Sequence, residues 1–387
     1  MKKSMGINRD MGLDLTRIIA FVSVPAVHFF LNSGFYQSPI VGTRMSVMTA
    51  FRTLFMICVP LFMLLSGYLM SAKEIAMEKK SLLHFYSKIA KVAVTYVLAT
   101  VLILIFKRVC LQENISFKDG IFNILGYNQY TWYVEMYMGF FFLIPFLNLL
   151  WNSIGRQQGH KILVAVLLVL TVAPSILNIW DFNTEGALLH PWLSKSYNQL
   201  VPNWWGSLYP ITYYYIGAYI RSHVKVKELK TWPLVLLFLG SVLVFSLFNI
   251  WRCYSIDFIW GAWCGWNGFQ NVIDTVLIFL IINSIKYKKK GPVFSKIIAL
   301  ISELTFGAYI VSWIPDNYFY PKLIDSISDM QLRFNYFPVM VLNTILISLL
   351  LSLGIHIVMF LGKKIFQGIS RNLGKRASAA GNDAVQP

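Results

Sequence analysis

Apolar residues run through this chain in long blocks separated by short polar segments, and the blocks decide its architecture. The first, Leu13 to Leu31, is about as long as a bilayer span requires. Repeating the reading along the chain gives approximate spans at 13–33, 48–70, 85–106, 131–151, 161–180, 205–221, 232–251, 266–285, 296–317 and 336–362. A chain in lipid must satisfy its own backbone groups, so each span is read as an α-helix. The pattern predicts an all-α integral membrane protein of about ten transmembrane helices. The membrane domain covers 1–376, and the small polar residues of 377–387 are expected to be a disordered tail. The first block lacks the short core and small-residue cleavage site of a removable signal, so it is read as the first helix of the mature protein.

Composition agrees. Of 387 residues, 57% are hydrophobic and 13% charged, and mean hydropathy is +0.59; soluble domains carry about 25% charged residues. The formal net charge of +17 raises the question of nucleic acid. Its distribution answers it. With both chain ends placed in the cytoplasm, 24 Lys and Arg fall on the inner side, 9 on the outer side, and Arg17 within the first span. That asymmetry is the positive-inside pattern. The excess is explained by topology, so no nucleic-acid partner is expected, and the chain is placed in a cell membrane. Four cysteines show no zinc-like spacing. Cys58 reads as a small buried hydrophobe, and a bridge between Cys253 and Cys264 stays open, because spacing does not show pairing.

The outer loops, 107–130, 181–204, 252–265 and 318–335, are long and rich in aromatic and amide residues, among them Asn128, Gln129, Tyr130, Trp192, Asn203, Trp204 and Trp205. Rings stack on the C–H faces of sugars while amides bond hydroxyls. The same residues also suit an interfacial aromatic belt.

Charged groups at membrane depth are costly and point to function. The first span carries Asp14, Arg17 and His28. Arg17 and His28 are eleven residues apart, about three helical turns, so they share a stripe and stand roughly 16 Å apart along the axis. Arg17 could instead be an anchor paired with Asp14, and His28 a helix-packing hydrogen bond. Glu135, at the outer end of the fourth span, lies near the depth of His28, where a carboxylate can fix an imidazole tautomer; the alternative is a Glu facing water. Asp274, Glu303 and Asp316 are weaker candidates. On the inner side Lys88 and Lys91 open the third span, and with Arg17 they form a candidate cationic site for a phosphorylated ligand. Ordinary anchoring is the rival reading. Two sites at different depths fit a donor from the cytoplasm and an acceptor from outside. They also fit a transport path.

Four segments resemble the membrane acyltransferase-3 family, which acylates bacterial surface polysaccharides. They are Leu13-Asp14-Leu15-Thr16-Arg17 followed by His28, similar to an Arg-x10-His signature; Val59-Pro60-Leu61-Phe62-Met63-Leu64-Leu65-Ser66-Gly67-Tyr68-Leu69; Trp132-Tyr133-Val134 with Pro145-Phe146-Leu147; and Ile301-Ser302-Glu303-Leu304-Thr305-Phe306-Gly307-Ala308-Tyr309-Ile310. They occur in order across 13–312. The surroundings of Glu135 look most like the capsule and exopolysaccharide acetyltransferase branch.

The resemblance implies an O-acetyltransferase that takes acetyl groups from cytoplasmic acetyl-CoA, with no metal, and places them on a surface glycan or its lipid-linked precursor. It implies that Arg17 helps bind the donor and that His28 is catalytic; the residues themselves add Lys88 and Lys91 to the donor side and Glu135 beside the imidazole. Trp132 and Tyr133 are the candidates for acceptor contact. Two departures stand out. Lys88 and Lys91 replace an Arg-x-x-Arg pair, which keeps charge but loses bidentate phosphate binding. Ser312 stands where many members have a His after the Tyr309 segment. The rivals are a precursor transporter or flippase, and a same-fold enzyme acting on peptidoglycan or a lipid.

Overall fold

The computed structural model describes residues 10–125, 130–287 and 291–383. Asn128 and Gln129, and the basic residues Lys2, Lys3, Arg9 and Lys288 to Lys290, lie outside the described residues. What is described is helical: α1 Met11–Asn32, α2 Gly42–Phe55, α3 Cys58–Met70, α4 Lys79–Tyr86, α5 Ile89–Val109, α6 Phe117–Leu125, α7 Trp132–Ile154, α8 Gln157–Thr171, α9 Pro174–Leu177, α10 Tyr209–His223, α11 Thr231–Arg252, α12 Phe269–Ser284, α13 Pro292–Val311, α14 Trp313–Ser326, α15 Met330–Arg333 and α16 Phe337–Asp383. Below, "inner" means the end of the bundle where α1 begins.

Among the described residues, eight segments are long and apolar enough to cross a membrane, against the ten spans expected. The other two expected spans correspond to shorter helices, α8 and α10, of 15 residues each. Some spans are broken helices, the third between α4 and α5 at Ser87–Lys88. The second divides into α2 and α3 at Met56–Ile57, and the ninth gives way to α14 at Ser312. Pro315, which lacks an N–H, falls in the first turn of α14, where none is needed. α16 continues as helix through Asp383, into the segment for which the sequence predicts no order. Alanine and serine there are compatible with helix.

The outward faces of α5, α11 and α16 expose Val94, Val101, Ile105, Leu239, Leu243, Leu247, Leu346 and Leu350. Apolar area on this scale is unfavourable in water and is what lipid covers. Inside, α10 is the hub. Tyr213, Tyr214 and Tyr215 are buried, and each hydroxyl finds a partner: the Trp266 carbonyl at 2.9 Å, Asn148 Oδ1 at 2.5 Å and the Leu147 carbonyl at 3.0 Å. Asn148 of α7 in turn donates to the Met70 and Lys73 carbonyls at the end of α3, both at 2.9 Å.

α3 and α10 touch backbone to backbone. A Cβ at Gly67 would fall 2.0 Å from the Tyr214 carbonyl oxygen, and one at Gly217 would fall 2.1 Å from that of Leu64. Only glycine allows this approach. Gly307 does the same for α13 against α16, where a Cβ would stand 2.5 Å from Ser352 Oγ. Ser66-Gly67-Tyr68 and Phe306-Gly307, two of the segments carrying the family resemblance, are thus close-packing points.

Toward the outer end a second apolar cluster gathers Phe29, Phe30, Phe35, Phe258 and Phe337. The loop 181–197 is tied to it by buried Arg252, whose guanidinium donates to the Ile179, Pro191, Ser194 and Ser196 carbonyls. Cys253 and Cys264 are free and buried, so the bridge left open by their spacing is not formed.

Candidate functional site

α1 carries the two groups singled out in the sequence, and each meets a different set of neighbours. His28 Nδ1 lies 3.0 Å from Oδ2 of Asp316, the acid placed on α14 just past the helix break. Asp316 is 2% exposed. Its other oxygen accepts from Thr344 Oγ1 of α16 at 2.9 Å. With the carboxylate ionised and the ring neutral, the carboxylate only accepts, so Nδ1 holds the hydrogen and Nε2 presents a lone pair. That is the tautomer a general base needs. The Tyr130 ring lies on the imidazole with centroids 4.1 Å apart, and its hydroxyl accepts from Asn32 at 2.7 Å. The Tyr309 hydroxyl of α13 donates to the Tyr130 carbonyl.

Toward the inner end Arg17 donates from Nη1 to Ser302 Oγ at 2.8 Å, and the same nitrogen is 3.5 Å from Asp14 Oδ1. Arg17, Lys91, Ser302, Tyr137, Tyr133 and Tyr309 all line one cavity of about 420 Å³. Small-molecule sites have about this size. The cavity is basic at Arg17 and Lys91, aromatic at Tyr133 and Tyr137, and reaches Tyr309. One hydrogen bond beyond Tyr309 lies Tyr130, the ring that covers His28. His356 and Glu303 complete part of the wall.

Several expected site residues sit differently. Glu135 is exposed on the first turn of α7, and the carboxylate at His28 is Asp316 instead. Each acid stands in the first turn of its helix, Glu135 on α7 and Asp316 on α14, and it is Asp316 that meets His28 of α1. Lys91 lines the cavity; Lys88 does not, and its ammonium stands 5.8 Å from the Phe85 ring centroid. Tyr133 lines the cavity rather than the outer surface and meets Tyr309 edge-on at 5.7 Å. Trp132 stacks on Trp266 at 4.4 Å. Thr344 and His356 went unnoticed in the sequence, and Ser302 stood there only within a family-like segment; a hydroxyl or imidazole in an apolar run carries no mark of its neighbours. Among the described residues no group of three or more His, Cys, Asp or Glu side chains is arranged to hold a metal ion.

The helices and their lipid-facing surfaces define a multi-pass membrane protein, in keeping with a place in the cell membrane. The family model of the acyltransferase domain, the acyltransferase-3 family, matches residues 11–353, and the chain belongs to that family. No curated protein and no solved structure matches it significantly.

Proposed function

We propose that the protein is an O-acetyltransferase moving an acetyl group from cytoplasmic acetyl-CoA to a hydroxyl of an extracytoplasmic surface polysaccharide or its lipid-linked precursor. Both chain ends then lie in the cytoplasm. One observation carries the reading: a single helix holds Arg17 in a basic cavity and, three turns further out, His28 against a buried carboxylate.

Arg17 and Lys91 hold the donor's phosphates, with Lys88 one turn nearer the inner surface. The acyl arm lies along Tyr137 and Tyr133 toward Tyr309. Nε2 of His28 takes the proton of the sugar hydroxyl as its oxygen attacks the thioester carbonyl. The carbon–sulfur bond breaks, and the leaving thiolate recovers that proton from the imidazolium. Asp316, steadied by Thr344, holds Nδ1–H and offsets the imidazolium charge.

The test is His28→Ala in the native cell, with glycan acetyl content read by NMR. General-base loss lowers transfer by about 10²–10⁴-fold, leaving intact polymer without acetyl groups. Persistent acetylation removes His28 from the chemistry. Failure of polymer to reach the surface turns the reading toward transport.

A further inference from the structure

The inner parts of α5 and α16 leave a second open space between them, on the face turned to lipid. Lys91, Val94 and Leu98 of α5 face Val358, Gly362 and Lys363 of α16 across a groove of about 440 Å³. Lys91, Val94 and Leu98 follow one another at three and four residues, and Val358 and Gly362 at four, the spacing of a single helix face. The two helices run in opposite directions. α5 starts near the inner end, whereas α16 meets Asp316 through Thr344 at the outer end and reaches the basic cavity only at His356. Each stripe therefore has its lysine at the inner end and apolar side chains further out. Gly362 keeps the space open, since a Cβ there would meet nothing within 4 Å. Val94 is 48% exposed and Val358 55%, so the groove is entered directly from the bilayer.

The groove also backs onto the basic cavity. Lys91 and Met359 line both spaces, and Thr95 Oγ1 donates to Met359 Sδ at 3.3 Å. Two ammonium groups and no carboxylate stand among the described residues of the groove.

Lipid covers this face in any bilayer, and the lysines select among lipids. Two ammonium groups on flexible stems attract a phosphate at the headgroup level. The apolar stripe beyond them, roughly 10 Å from Lys91 to Leu98, takes the first part of an acyl chain. A headgroup with net negative charge is attracted by both lysines. One that carries its own ammonium beside the phosphate is attracted less.

We propose that this groove holds one phospholipid with an anionic headgroup, its phosphate between Lys91 and Lys363 and an acyl chain along Val94, Leu98 and Val358. The inference goes beyond acetyl transfer and does not rest on it. General anchoring of basic residues at the inner interface uses the same charges and has no need of a groove. Lys364 separates the two accounts. It adjoins Lys363, carries the same charge and is exposed, but it lines neither space, and its ammonium stands 4.6 Å from the Phe360 ring centroid.

The experiment titrates the purified full-length protein in detergent with dioleoyl phosphatidylglycerol and, separately, with dioleoyl phosphatidylcholine. Native mass spectrometry reads the first bound lipid. Wild type binds the anionic lipid about tenfold more tightly than the zwitterionic one. Lys363→Ala weakens anionic-lipid binding about fivefold, while Lys364→Ala leaves it within about twofold. Gly362→Leu fills the groove without changing charge and removes binding at lipid concentrations that saturate wild type. Its side chain enters open space on a helix, so it melts at the wild-type temperature or above. Should that variant fail to fold, the two lysine variants carry the test. Equal affinity for the two lipids, or equal effects of Lys363→Ala and Lys364→Ala, overturns the proposal. Displacement of the lipid by inorganic phosphate alone makes this an anion site without a chain and overturns it too. So does a wild-type dimer, seen by light scattering, that Gly362→Leu dissociates, which gives the groove to a second copy. Lipid binding is read without acetyl-CoA, so it stands or falls separately from the outcome of His28→Ala.

Discussion

At His28 the question of function narrows to which oxygen holds Nδ1. The sequence placed Glu135 near the depth of the imidazole and kept Asp316 as a weaker candidate, and no pattern along the chain says which one turns inward. In the fold it is Asp316, because the break at Ser312 redirects α14 against α1 and α16, where Thr344 also reaches it. Asp316→Asn keeps the shape and offers a neutral amide in place of the anion. Transfer should drop about 10²-fold or more with acetyl-CoA affinity unchanged, measured by initial rates in proteoliposomes; Glu135→Gln should change the rate by less than about twofold. Arg17 and His28 were legible because the helical period alone put them on one stripe. Lys88 and Lys91 were not separable, because one turn of helix decides which enters the cavity. Lys91→Ala should therefore weaken acetyl-CoA binding about tenfold, while Lys88→Ala leaves it within about twofold, both by titration calorimetry. A third residue makes a prediction about pH. Asp181 in the outer loop accepts from the Ser194 hydroxyl at 2.6 Å, the Thr184 hydroxyl at 2.7 Å and the Asn183 N–H at 2.8 Å. These bonds hold its carboxyl at about 2, below its ordinary 3.8. A lowered folded-state value contributes stability above the unfolded value and loses it as pH falls through the folded one. Hydrogen exchange of residues 181–197 should stay protected down to about pH 4 and loosen toward about pH 2. Asp181→Asn should remove that step.

Among the helices, the apolar blocks told most where a helix faces lipid and least where it does not. α5, α11 and α16 present long exposed apolar faces, and their hydropathy marks them without ambiguity. α10 is different. Enclosed by α3 and α8, it meets protein on nearly every side, so it can carry buried tyrosines whose hydroxyls are satisfied by neighbouring helices. A helix of that kind has no need of an apolar surface, and composition alone weakens its signal. The tight contact that fixes it was written in the chain as Ser66-Gly67-Tyr68, though the partner glycine, Gly217, lies far along the sequence. Gly67→Ala puts a methyl into the Tyr214 carbonyl. Overpacking of that order costs about 1–3 kcal/mol, so the variant should melt at a lower temperature in detergent. A substitution at Gly240, which has open space around it, should not.

For the molecule as a whole, the positive-inside asymmetry predicts a direction that no internal contact contains. The same helices would pack identically in either orientation, and the donor and acceptor ends exchange compartments if the bundle is inverted. The chain carries its own probe of this. Of its four cysteines, Cys58, Cys253 and Cys264 are buried and Cys110 is exposed, just past the end of α5. That is the end opposite Lys91 and the cavity. With the chain ends in the cytoplasm Cys110 faces the outside, so a membrane-impermeant maleimide added to intact spheroplasts should label the native protein at one site. Cys110→Ser should abolish the labelling without altering transfer, since Cys110 touches neither the cavity nor His28. Labelling that appears only after the membrane is broken would invert the bundle. The basic cavity would then open away from cytoplasmic acetyl-CoA, and no rearrangement of side chains within the site could restore the proposed reaction.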